Sequence, residues 1–153
     1  MRTLSRQSDK AEILARLRTL RPDSARRWGR MSAHQMVCHL ADNCRMMLGQ
    51  KPVSLRSGPL QRTLLKWLVL YVPLPWPHGA PTSLELDQIQ GGGTRPGDFA
   101  ADVAEVEALL ALVTAPRRTL DRQAHPVFGP MSDAAWLRMA YLHTDHHLRQ
   151  FGA

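Results

Sequence analysis

The chain has 153 residues, 44% hydrophobic and 22% charged, which fits one globular domain large enough to bury a core and excludes a wholly disordered chain. Its 20 lysines and arginines outnumber 13 acidic residues, giving a formal charge of +7. The cations are spread from Arg2 to Arg149 in short clusters rather than one basic patch, so a nucleic-acid interface is not expected.

The first residues turn polar where a signal peptide needs an apolar stretch, so a cytoplasmic protein is expected. Asp9 with Glu12 has the spacing of a capping box and predicts a helix over Asp9 to Leu20, with Ile13, Leu14, Leu17 and Leu20 on its apolar side. Ser32 with Gln35 is a second capping box. It opens a helix from Ser32 to Leu48 that Gly49 stops. Cys38 and Cys44 share this helix, where six residues at about 1.5 Å each separate them by ~9 Å, beyond the ~7 Å reach of a disulfide. Free thiols are expected.

Leu60 to Tyr71 predicts a shorter apolar helix ended by Pro73. The longest apolar run, Leu64 to Trp76, is interrupted by Lys66, Pro73 and Pro75 and falls short of the roughly 20 apolar residues of a membrane span. The helix holds more large apolar residues than one face can bury, which makes Trp67, Leu68 and Tyr71 candidates for contact with a second copy. From Pro73 to Gly97 proline and glycine predict a long loop. Its Gly91 to Gly93 lacks the strand and helix that flank a phosphate loop.

Asp98 caps a helix with an apolar stripe of Phe99, Val103, Val106, Leu109, Leu110 and Val113, stopped by Pro116. Ser132 caps the last helix, which is expected to run to the end of the chain. No sustained strand alternation is present. Four principal helices plus one short apolar helix imply an all-α fold, an antiparallel four-helix bundle with a long Pro/Gly-rich loop, in a single domain spanning 1–153.

Three of the seven histidines fall within the stretch "YLHTDHHLRQF". On a helix, His143 and His147 continue the apolar stripe of Trp136, Met139 and Ala140, with Gln150 within the stripe, His146 at its edge and Asp145 opposite. Burying imidazoles costs about 1–3 kcal/mol each unless they find partners. One such partner is a metal ion, since histidines at i and i+4 converge on one point. A pair alone is a weak signal, because two histidines also bond to ordinary carboxylates and carbonyls.

A third ligand candidate is His39, at the edge of the stripe formed by Met36, Leu40, Asn43, Cys44 and Met47 on the second helix. His34 projects away from it and reads as exposed. Asp42 and Asn43 flank His39, either orienting a ligand or substrate or forming a solvated helix edge. His125, in "HPVFGP", reads as a turn-forming residue, with an approach to the site as the alternative. His78 reads as exposed.

A tryptophan before a capped helix carrying a single histidine in "HL", followed about a hundred residues later by "HPVFGPMSDAAW" and "HTDHHLRQF", resembles the DinB/YfiT-like superfamily of metalloenzymes. The likeness is to a subgroup whose last helix carries H-x-x-H-H-x-x-Q-F. It implies a four-helix bundle with a metal at one end, held by His39, His143 and His147. His146 is an additional histidine beside the pair, and the long Pro/Gly loop departs from the pattern. Known activities in that superfamily use bacillithiol, mycothiol or glutathione, and include a maleylpyruvate isomerase.

Three neutral imidazoles leave a fourth coordination position open, the arrangement of a catalytic zinc site. The resemblance implies a divalent-metal-dependent enzyme, a thiol-dependent S-transferase or related hydrolase, using Zn or Ni and a low-molecular-weight thiol as co-substrate. Asp42, Asn43, His125, His146 and Gln150 are the candidates for supporting the ligands or meeting substrate. The rival readings are a non-catalytic bundle whose histidines are structural, and a basic nucleic-acid binder. The expected partners are a small-molecule substrate and a second copy of the chain, with neither membrane nor nucleic acid.

Overall fold

The computed structural model describes residues 1–56, 58–73, 75–116, 120 and 124–153. It is mostly helical: α1 (Gln7–Leu17), α2 (Ala33–Met47), α3 (Lys66–Tyr71), α4 (Phe99–Val113) and α5 (Asp133–Gln150). A π-helical turn, Gln61–Leu65, leads directly into α3, and a 3-10 turn, Leu84–Leu86, punctuates the long loop. Two short strands, β1 (Ala124–His125) and β2 (Gly129–Pro130), pair antiparallel before α5. Sequence alternation did not announce these strands, because two residues are too few to show a period.

The caps explain where most helices begin. Ser32 accepts a hydrogen bond from the Gln35 amide while the Gln35 side chain accepts from the Ser32 amide, so the capping box of α2 is formed. Asp98 and Ser132 cap α4 and α5 by accepting from Ala101 and Ala135. The expected box at Asp9 is not formed. Asp9 instead accepts from the amide of Thr3, and α1 starts at Gln7 with no side-chain cap. Gly49 adopts a φ of 72° just past α2, the left-handed conformation that ends a helix cheaply only at glycine.

α2 packs against both α4 and α5, α1 packs on α5, and α3 packs on α5. Met36 and Val37 of α2, Val106 and Leu110 of α4, Ile13 and Leu17 of α1, and Trp136 and Leu148 of α5 form the buried core. The apolar stripe expected for α4 is buried at Val106, Leu109, Leu110 and Val113, while Phe99 and Val103 are partly buried. Leu4 anchors the residues before α1 by donating from its amide to the Leu137 carbonyl at 3.2 Å.

The described helices include none long and apolar enough to cross a membrane. Cys38 and Cys44 are both free and buried.

Candidate metal centre

Packing α2 against α5 brings His39 beside His143 and His147. Atoms able to act as ligands on all three lie within 4.8 Å of one another, so the cluster could hold a metal ion. The ring centroids are 5.1 Å apart for His39 and His143, 4.9 Å for His39 and His147, and 4.6 Å for His143 and His147.

Hydrogen bonds on the far side of two rings decide what they present to this centre. Nδ1 of His39 lies 3.0 Å from the Leu86 carbonyl, which can only accept, so Nδ1 carries the hydrogen. Nδ1 of His147 lies 3.0 Å from Oε1 of Gln150. The amide nitrogen of Gln150 donates to the Trp28 carbonyl at 2.8 Å, which fixes the amide's orientation and leaves Oε1 as an acceptor. Neutral His39 and His147 therefore each turn a bare Nε2 lone pair away from these partners. Nε2 of His143 lies 3.2 Å from Nε2 of His39.

Protonation is disfavoured throughout. His143 and His147 are held well below the ordinary imidazole value, first by burial and then by neighbouring imidazoles, and burial also lowers His39. Neutral imidazole is the ligand form, and carbonyl acceptors behind the rings are the support a bound ion uses. The donor set has the chemistry to hold a metal ion.

The cluster lines a cavity of about 620 Å³. Much of its wall is apolar and includes Trp28, Met31, Met46, Trp76, Phe128 and Met139, with Asn43, Ser83, Asp87 and Gln88 among the polar lining residues beside the histidines. The amide nitrogen of Gln88 is buried without a hydrogen-bond partner. His146 is half-buried, lines the same cavity, and lies 5.2 Å from His147 and 5.8 Å from both Trp28 and Trp76 between ring centroids. His78 is exposed as expected, yet it stacks on Trp28 at 4.2 Å.

The supporting candidates separate clearly. Gln150 orients His147, and Asn43 lines the cavity. Asp42 does neither of the things expected of it. It is fully buried, with ion pairs to Arg45 at 2.9 Å and Lys51 at 2.8 Å and hydrogen bonds from the amide and hydroxyl of Thr94. It ties α2 to the loop, and no hydrogen bond joins it to a histidine. His125 lines the cavity and shapes its own turn, its Nδ1 accepting from the amides of Val127 and Phe128. Asp145 faces Arg16 at 2.6 Å and Arg149 at 3.0 Å and is only 13% exposed, so the helix edge opposite the pair is an ion-pair site rather than open surface.

His34 was expected to be exposed and is mostly covered. Its Nε2 lies 2.6 Å from Asp102 of α4, forming with Cys38 a second group of the right composition for a metal. Asp102 there already accepts from the Gly97 amide at 3.0 Å, and the Cys38 thiol lies 3.6 Å away. Burial, reinforced by Asp102, pushes that thiol up to about 12, so it stays protonated. This group reads as a satisfied hydrogen-bond knot between α2 and α4.

Sequence reasoning missed the Leu86 carbonyl and Trp76. A backbone acceptor has no side-chain signature, and Trp76 sits in a loop without periodicity.

The chain belongs to the family described as protein of unknown function (DUF1569), whose model matches residues 2–153. No curated protein and no solved structure matches it.

Proposed function

We propose that the protein is a divalent-metal-dependent enzyme in which His39, His143 and His147 hold one ion, zinc or nickel, and that it acts as a thiol-dependent S-transferase or related hydrolase. The observation that carries this reading is the pair of committed Nδ1 atoms. His39 and His147 spend their ring hydrogens on Leu86 and Gln150, leaving two bare Nε2 lone pairs beside His143. A neutral His143 has one ring hydrogen and can serve only one of these lone pairs, whereas a cation would serve both. The finer fold reading, a DinB/YfiT-like antiparallel four-helix bundle with the site at one end, belongs to the same proposal.

A bound ion would supply Lewis acidity and lower the pKa of a water or thiol in its open position. The chain's own residues do the rest. Trp28, Trp76 and Phe128 exclude water and favour an apolar substrate, while Asn43 and the unpaired amide of Gln88 offer hydrogen-bond donors to its polar end.

The test is elemental analysis of untagged protein purified without chelator, followed by a conjugation screen pairing apolar electrophiles with low-molecular-weight thiols. About one equivalent of metal per chain is expected. The rival structural reading draws on the His39–His143 contact, which closes at 3.2 Å by itself. Failure to bind zinc or nickel when either is supplied in excess would decide for it.

A further inference from the structure

His125 ends β1, and the residues that follow it fix its ring. Pro126 has no amide hydrogen, so the next two donors along the chain are the amides of Val127 and Phe128, and both donate to Nδ1 of His125, at 3.1 and 3.2 Å. Two donors on one nitrogen leave no room there for a hydrogen of its own. A neutral imidazole then carries its single hydrogen on Nε2. Burial keeps the ring neutral by lowering it to about 4.

Packing holds the ring in this orientation. Phe128 stacks on it with centroids 4.6 Å apart and planes 16° from parallel, Trp136 packs against it at 5.3 Å, and both neighbours are buried. His125 also lines the histidine cavity. No acceptor among the described residues takes its Nε2 hydrogen, and Nε2 is not sealed off as the unpartnered Nε1 of Trp136 is. The cavity wall thus presents one N–H in a fixed direction, flanked by the apolar side chains of Val127 and Phe128.

The same device runs in the opposite sense at His39 and His147, whose Nδ1 atoms serve Leu86 and Gln150 and whose Nε2 atoms are bare. Those two rings offer electron pairs, and His125 offers a hydrogen. One part of the lining suits a cation and another an oxygen.

We propose that His125 is a specificity-determining residue that binds the carbonyl oxygen of an apolar substrate through its Nε2–H. If the cavity is the substrate site of a metal-dependent enzyme, the reading on which this rests, that substrate is a ketone, aldehyde, ester or related carbonyl compound rather than a hydrocarbon or halogenated electrophile. A compound filling the cavity strips water from the N–H, and only one that brings an acceptor restores the hydrogen bond. A neutral donor between apolar side chains suits an uncharged carbonyl better than a carboxylate, which gives up more hydration on entry.

The test titrates two probes into the whole chain with heavy nitrogen in its histidines: acetophenone, and isopropenylbenzene, in which a methylene group replaces the carbonyl oxygen. Chelator is present so that no ion can hold the ketone. Nitrogen resonances should show His125 with a bare Nδ1 and a protonated Nε2. Acetophenone should shift the Nε2 resonance and bind at least about fivefold more tightly than isopropenylbenzene, the ratio that one net hydrogen bond supplies. In His125→Asn, which keeps an acceptor for the two amides, that preference should vanish. A hydrogen on Nδ1, equal affinities, a preference that survives the substitution, or no binding of either probe overturns the proposal. Should the variant unfold, the tautomer and the Nε2 shift of the native chain decide alone. Metal content is read separately, since a chain that binds no zinc can still show the preference and a chain that binds zinc can lack it.

Discussion

Gln150 accepts the Nδ1 hydrogen of His147 at 3.0 Å, one turn further along α5, and its amide nitrogen reaches across to the Trp28 carbonyl at 2.8 Å. One side chain thus sets the tautomer of a candidate ligand and fastens a cavity wall. Gln150→Ala frees the ring to rotate and to place its hydrogen on either nitrogen. Metal affinity should fall by about 10–100-fold, the usual effect of removing such a support. Competition against a calibrated chelator measures it, and an unchanged affinity would remove Gln150 from the site.

The ligands themselves should respond more sharply. His39→Ala, His143→Ala and His147→Ala should each lose stoichiometric metal, whereas His146→Ala should keep it, since His146 is outside the converging trio. Metal loss on His146→Ala but not on His147→Ala would show that the neighbouring ring is the ligand. Because imidazoles must be neutral to bind and burial holds all three below the ordinary imidazole value, metal should be kept through that range and released only at more acid pH. Elemental analysis after gel filtration reads all of these.

His125 gives a pH dependence of folding with a definite sign. Burial holds it at about 4, against an ordinary 6.5. Between those values the unfolded chain takes up a proton that the folded chain refuses. Stability is therefore full above about 6.5 and is lost as the pH falls towards 4, by up to about 3 kcal/mol from this residue. His125→Asn keeps a side-chain acceptor for the amides of Val127 and Phe128 without titrating. Urea unfolding between pH 7 and 4 should show a shallower loss in the variant, and an equal loss in both would refute the assignment.

Asp42 and His34 separate stability from metal binding. Asp42→Asn leaves Arg45 and Lys51 without their buried partner and should cost about 3 kcal/mol. His34→Ala removes the contact with Asp102 and should cost about 1 kcal/mol. Neither should change the metal content of the folded fraction. Chemical denaturation and elemental analysis on the same samples check both halves of the prediction.

The pattern of what could be read in advance follows from how far each signal acts. Ser32, Asp98 and Ser132 cap helices through bonds within three residues, so the starts of α2, α4 and α5 were legible. The placement of His39, His143 and His147 on inward faces followed from helical spacing, and the packing of α2 on α5 brought them together. Asp9 misled because its carboxylate turned back to Thr3 instead of capping a helix. Asp42 and His34 misled because their partners, Thr94 and Asp102, arrive from the distant loop and α4. A helical wheel knows only its own helix.

His39 and His143 stand 104 residues apart in sequence yet touch in the folded chain. A zinc finger gathers its ligands locally and folds around its ion, but here the core of Met36, Leu110, Trp136 and Leu148 assembles from the same helices without using a ligand atom. An ion held there would be a late arrival at a finished cavity. It could leave and return without unfolding the protein, so the fraction of molecules loaded at any moment would follow the supply of free metal in the surroundings.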